Sequence, residues 1–225
     1  MDTAVALVQA YLHVNGYFTV VEFPVLEAFQ AGPARSVTDL DILAFRFPRA
    51  TSEGMVRQGR QRIARTFATD PVLGCPADHP DMIVGEVKEG AARFNDATRD
   101  PVVLAVALAR FGCCGADRAD EIARRLVSER RVDTPEGHTV RMVAFGAAPD
   151  NASDRRSTIV PMRHVVDYLR GYLRDHWDVL RHAQIKDPAL AVLALLEKWG
   201  ADPRQESLAV PPIKTQARGS HRPTR

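Results

Sequence analysis

The stretch "TDLDILAF", residues 38–45, reads as a buried strand except that it carries two aspartates, Asp39 and Asp41, at alternate positions. Side chains alternate across a strand, so Val37, Asp39, Asp41 and Leu43 share one side. Farther on, "MIVGEVKEG", residues 82–90, repeats the arrangement with Glu86 and Lys88 on one side of another apolar run. Burying unpaired charge is costly, so a reason for these charges has to be found in how the two strands meet. Consecutive strands are usually neighbours, which lets Asp41 and Glu86 converge at one end of a sheet with Lys88 beside them. Two carboxylates and an ammonium in a half-dry site are expected to take up a divalent cation. An all-oxygen ligand set selects a hard one, Mg²⁺ or Mn²⁺.

Outward from these strands the chain reads as alternating elements. Ala4, Leu7, Val8 and Tyr11 form a helical stripe stopped by Asn15-Gly16. "YFTVVEFPV", 17–25, is a β-branched and aromatic strand, and Pro24 assigns it to an edge. The charged strands cover about 37–47 and 82–88. Between them, residues 49–70 are polar and arginine-rich, too long for an ordinary hairpin loop. Asp100, Pro101 and Gly112 bracket a helix in "RDPVVLAVALARFG", and another follows over about 117–131. A fourth strand is expected at 138–146, then a polar loop, a long amphipathic helix over about 162–183, and a last helix from Asp187-Pro188 to Gly200. The fold class is therefore α/β, with a four-stranded mixed sheet flanked by helices. Three regions are expected: a core over 1–146, a C-terminal helical extension over 147–200, and a disordered basic tail over 201–225.

Composition narrows the functional classes. With 45% apolar and 26% charged residues among 225, the chain is ordinary for a globular protein. Its longest apolar runs, 102–109 and 189–196, fall well short of the roughly 20 residues of a membrane span, and "MDTAVALVQAYL" lacks the basic start of a secretory signal, so a cytoplasmic setting without membrane partners is expected. Three cysteines, two of them adjacent, build no disulfide framework, and Cys75 and His79 with Cys113-Cys114 make a poor zinc set. The net charge of +2 is carried by the tail, so the folded part has no global attraction for nucleic acid and would need local patches to hold it.

The order helix, strand, strand with Asp41, strand with Glu86-x-Lys88, helix, strand resembles the αβββαβ core of the PD-(D/E)XK nuclease superfamily, the restriction endonuclease-like fold, over roughly residues 1–146. The resemblance implies Mg²⁺-dependent hydrolysis of phosphodiester bonds, with DNA as the expected partner. Asp41, Glu86 and the backbone carbonyl of Val87 would hold the metal, and Lys88 would orient or help deprotonate the attacking water. The motif's proline is replaced by Leu40, which leaves Asp39 as an alternative to Asp41. Many relatives carry a glutamate on the first helix; here Gln9 or, from the neighbouring strand, Glu22 would have to serve.

Other groups have two readings each. Arg57, Arg60, Arg62 and Arg65 could track phosphates along a groove or face solvent, and Arg93 and Asn95, just beyond Lys88, could reach a phosphate or simply occupy a turn. His164, His176 and His182 read as structural, with His176 in the apolar stripe of the long helix. The C-terminal helices could pair across a homodimer. A nuclease-like module that binds nucleic acid or protein without cleaving is the alternative function.

Overall fold

A computed structural model describes residues 2–27, 35–58, 60–148, 158–181 and 183–200, with the side chains of 35, 37, 52–54, 56–58 and 65 outside the description. The tail from 201, His182 and most of the polar stretch before 158 therefore lie outside the described residues.

The first helix, α1 (Thr3–Val14), starts where the Asp2 carboxylate accepts the Ala4 N–H and stops at Asn15, with Gly16 at φ +84° carrying the chain into β1 (Phe18–Glu27). β2 (Arg35–Arg46) pairs antiparallel with β1, and β5 (Asp81–Ala91) pairs antiparallel with β2. Between β2 and β5 a separate two-stranded hairpin forms from β3 (Ser52–Gln58) and β4 (Gln61–Phe67). After β5 come α2 (Pro101–Phe111) and α3 (Ala119–Glu129). The sheet then resumes with β6 (Arg131–Asp133), β7 (Thr139–Ala147) and β8 (Thr158–Pro161). β7 lies parallel to β5, as a helical crossover requires. The chain closes with α4 (Met162–Asp175), α5 (Trp177–Leu180) and α6 (Pro188–Gly200).

The architecture is α/β, built on a mixed sheet of order β1-β2-β5-β7-β6 with β8 also on β7. Among the described residues the sheet has six strands, where the sequence predicts four. The additions share one edge: β6 runs antiparallel to residues 139–141 of β7, and β8 runs parallel to 143–146. Both are only three or four residues long and owe their form to that edge. The arginine-rich stretch is the β3–β4 hairpin rather than a loop, and the long helix breaks at His176 into α4 and α5.

Helices cover both faces. On one, α2 and α3 pack with Leu43, Met82, Val84, Val140 and Met142; on the other, α1, α4 and α6 pack with Ile42, Ala44, Ile83, Val143 and Phe145. Gly85 is pinned between Ile42 and Val143 by its two neighbours, and a Cβ there would stand 2.5 Å from the Ile42 side chain. The α1 face also buries an ion pair, with the Arg141 guanidinium donating to both carboxylate oxygens of Asp81 at 2.8 and 2.9 Å. Beside it the Asp70 carboxylate accepts from the Tyr11 hydroxyl and sits 2.6 Å from the His164 ring, tying α4 to α1. Among the described helices none is long and apolar enough to cross a membrane.

Candidate metal centre

The site lies where the β2–β5 ladder stops. Its last pair is Ile42↔Gly85. One step on, the backbones no longer exchange bonds; the Asp41 carboxylate takes the place of a strand carbonyl and accepts the Val87 N–H at 2.8 Å. Glu86 and Lys88 alternate with Gly85 and Val87 along β5, on the side that carries Met82 and Val84. Lys88 Nζ contacts Glu86 Oε1 directly and lies 3.9 Å from Asp41 Oδ2, so one cation already faces oxygens from two strands.

The three groups differ in solvation. Glu86 is 1% exposed, whereas about a quarter of the Asp41 side chain and a third of that of Lys88 reach solvent. A buried carboxylate needs donors, and Glu86 has them: Asn95 Nδ2 donates to Oε1 at 2.8 Å and the Thr98 hydroxyl donates to Oε2. Burial pushes the Asp41 carboxyl above its ordinary range, and the negative charge of Glu86 adds to that; the Val87 N–H and Lys88 act in the opposite direction without cancelling it.

The structure brings together Asp41, Glu86 and Lys88 and leaves other candidates elsewhere. Asp39 is exposed and accepts a hydroxyl hydrogen bond from Ser36. Gln9 donates to the Thr19 hydroxyl; Thr19 stands opposite Ala44, which belongs to the α1 face, so Gln9 is on the wrong side of the sheet. Glu22 occupies the register position opposite Asp41, between the pairs Val21↔Ile42 and Phe23↔Leu40, and is exposed at φ +51°. Arg93 is exposed just beyond β5. Arg60 and Arg62 are exposed at the tip of the β3–β4 hairpin, with Arg62 opposite Arg57; the Arg57 and Arg65 side chains lie outside the described residues. Asn95 is a turn residue, as one of its two readings has it, with its amide directed at Glu86, and Thr98 is the contributor that the sequence reading does not show.

Chemically the donor set suits a hard cation: carboxylates from neighbouring strands face one ammonium, and the groups described at the site, Asp41, Glu86 and Lys88, include no thiol or imidazole. Among the described residues no group of three or more acidic, histidine or cysteine side chains converges, so further ligands would have to come from backbone carbonyls such as that of Val87 or from water. Comparison with protein-family models, curated proteins and solved structures returns no match.

Proposed function

We propose that this chain hydrolyses phosphodiester bonds in nucleic acid, DNA foremost, with Mg²⁺ or Mn²⁺ held by Asp41, Glu86 and the Val87 carbonyl, on a restriction endonuclease-like core. The observation that carries the reading is the meeting of Asp41 and Glu86 oxygens around one ammonium at the open end of the β2–β5 ladder. When bound, the cation would supply an acidified water and offset charge on the scissile phosphate. The protein groups do the rest. Glu86, fixed by its donors, and Asp41, fixed by the Val87 N–H, present oxygens in a set geometry. Lys88, one-third exposed, can swing its ammonium toward solvent and donate to a developing negative charge. The arginines of the β3–β4 hairpin and Arg93 are proposed phosphate contacts, which position a strand without reading sequence. A cytoplasmic setting goes with this reading.

The test is direct. The full chain is incubated with supercoiled plasmid, single-stranded DNA and RNA in Mg²⁺ or Mn²⁺, beside Asp41→Ala and Lys88→Ala. Cleavage is expected from the parent chain and lost in both variants. Cleavage that survives both substitutions points to another site or a contaminant. Salt-sensitive binding without cleavage by the parent chain would establish instead a module that holds nucleic acid without cutting it.

A further inference from the structure

We propose that Asn95 and Thr98 are positioning residues that fix the Glu86 carboxylate, and through it the place of the divalent cation; the inference rests on the metal-centre reading. The two residues sit on the turn that links β5 to α2. Asn95 Oδ1 accepts the Thr98 N–H at 2.6 Å, closing the turn on itself, and Asn95 Nδ2 is then aimed at Glu86 Oε1 at 2.8 Å. The Thr98 hydroxyl lies within reach of both Asn95 Oδ1, at 2.9 Å, and Glu86 Oε2. It has one hydrogen to give, and a Glu86 carboxyl oxygen is among its acceptors.

The turn is not free to drift. Phe94, directly before Asn95, is buried in the α2–α3 core, and the Arg99 guanidinium donates to the Phe94 carbonyl at 2.9 Å. Thr98 is itself 1% exposed, and Asp100, two residues on, caps α2. With Oε2 held from the turn and Oε1 shared between Asn95 and Lys88, the carboxylate plane cannot rotate. Oε1 is the oxygen left facing Lys88 and, beyond it, Asp41. This is the role of outer partners in metal sites: they orient the ligand, and their loss costs ~10–100-fold in metal affinity.

Thr98→Val keeps the shape and removes the donor, Thr98→Ser keeps the donor, and Asn95→Asp replaces a donor to Glu86 by a repelling carboxylate. Mn²⁺ uptake by the full-length chain is measured by isothermal titration calorimetry, with thermal melts run beside it as a control for folding. The expected result is a ~10–100-fold weaker Mn²⁺ affinity for Thr98→Val and Asn95→Asp, with Thr98→Ser retaining the parent value. Equal affinity in all four proteins would overturn the positioning role while leaving the metal centre intact. No Mn²⁺ uptake by the parent chain would overturn the metal centre itself, and the inference with it. Should Thr98→Val not fold, Thr98→Ser and Asn95→Asp decide the matter: a carboxylate added beside Glu86 would by its charge alone strengthen Mn²⁺ uptake, so weaker uptake by Asn95→Asp beside an unchanged Thr98→Ser reports lost positioning.

Discussion

Asp41→Asn is expected to stabilise the protein while removing the proposed nuclease activity. The favourable side of the Asp41 charge is its attraction to Lys88. At 3.9 Å a pair of unit charges is worth ~4 kcal/mol at an effective dielectric of 20. Both side chains are partly exposed, and screening leaves about 1 kcal/mol or less of that. Opposing it are burial and the neighbouring Glu86, and the balance is visible in the direction of the carboxyl's shift, which is upward despite Lys88 and the Val87 N–H. A carboxyl whose pKa is raised on folding binds its proton more tightly in the native state. Its contribution is therefore favourable at low pH and is lost as pH rises from the unfolded value through the raised one. At neutral pH the ionised group costs stability. Asparagine keeps an oxygen for the Val87 N–H, has nearly the same volume and carries no charge. The expected gain is about 0.5–1 kcal/mol, typical of removing a strained functional group, or ~1–4 °C in Tm for a chain of this length. Thermal melts of both proteins at pH 4.5 and 7.5 in divalent-free buffer should show a gap in favour of the variant that widens with pH. A variant that melts lower than the parent at pH 7.5, or a gap that narrows as pH rises, would show that Lys88 and the backbone donor outweigh burial.

Two further substitutions test the frame that holds the site. Gly85→Ala places a Cβ 2.5 Å from Ile42 Cγ2 and 3.3 Å from the Phe145 ring, which overpacks the α1 face, and a loss of ~1–3 kcal/mol is expected by urea denaturation; combined with Ile42→Ala, which removes the Cγ2 methyl, it should cost less than the sum of the two single changes, and an unchanged midpoint for Gly85→Ala would contradict the packing. Asp81→Asn leaves the Arg141 guanidinium buried without its counter-charge, so stability should fall by ~3–5 kcal/mol, while replacing both partners by apolar residues of similar size should cost less than the single change.

What could be read from the sequence followed from local periodicity. Asp100-Pro101 and Gly112 bracket α2 as helix caps do, and the apolar runs mark β2, β5 and β7, with alternation along β5 giving the common side of Glu86 and Lys88; the common side expected for Asp39, Asp41 and Leu43 fails, because Leu40 and Leu43 face one core and Ile42 the other. The features that could not be read are decided by partners. β6 and β8 are too short to show a pattern and exist because β7 offers them an edge. The hairpin's described side chains are mostly exposed, so no apolar alternation marks it. The break at His176 is silent because the apolar stripe continues through it, with the His176 ring packed at a tilt against Phe67, their centroids 3.6 Å apart. Gln9 was a reasonable helix position, but which face of the sheet a helix covers is not written in the helix itself. Asn95 and Thr98 act from a turn, where no periodicity applies; their only sequence trace is an Asn-x-x-Thr step directly ahead of the Asp-Pro cap of α2.

The location of the site follows from the same accounting. A regular sheet spends every strand N–H and C=O on its neighbours and leaves nothing with which to hold a buried carboxylate. Here the regularity fails at the level of Glu22 and Asp41. Glu22 takes φ +51° in the edge strand; Val21 faces the α1 core while Phe23 packs on the α2 side; and Leu40 joins that side although Ile42 does not. At that level β2 and β5 stop pairing, which frees the Val87 N–H for Asp41 and opens room for Lys88 between two carboxylates. A non-glycine residue in the left-handed region costs of order 1–3 kcal/mol and persists only where surrounding structure enforces it. Glu22→Gly should therefore relieve strain without disturbing the Ile42↔Gly85 end of the ladder. If instead it lets the β1–β2 register slip, Glu22 is holding the opening rather than enduring it.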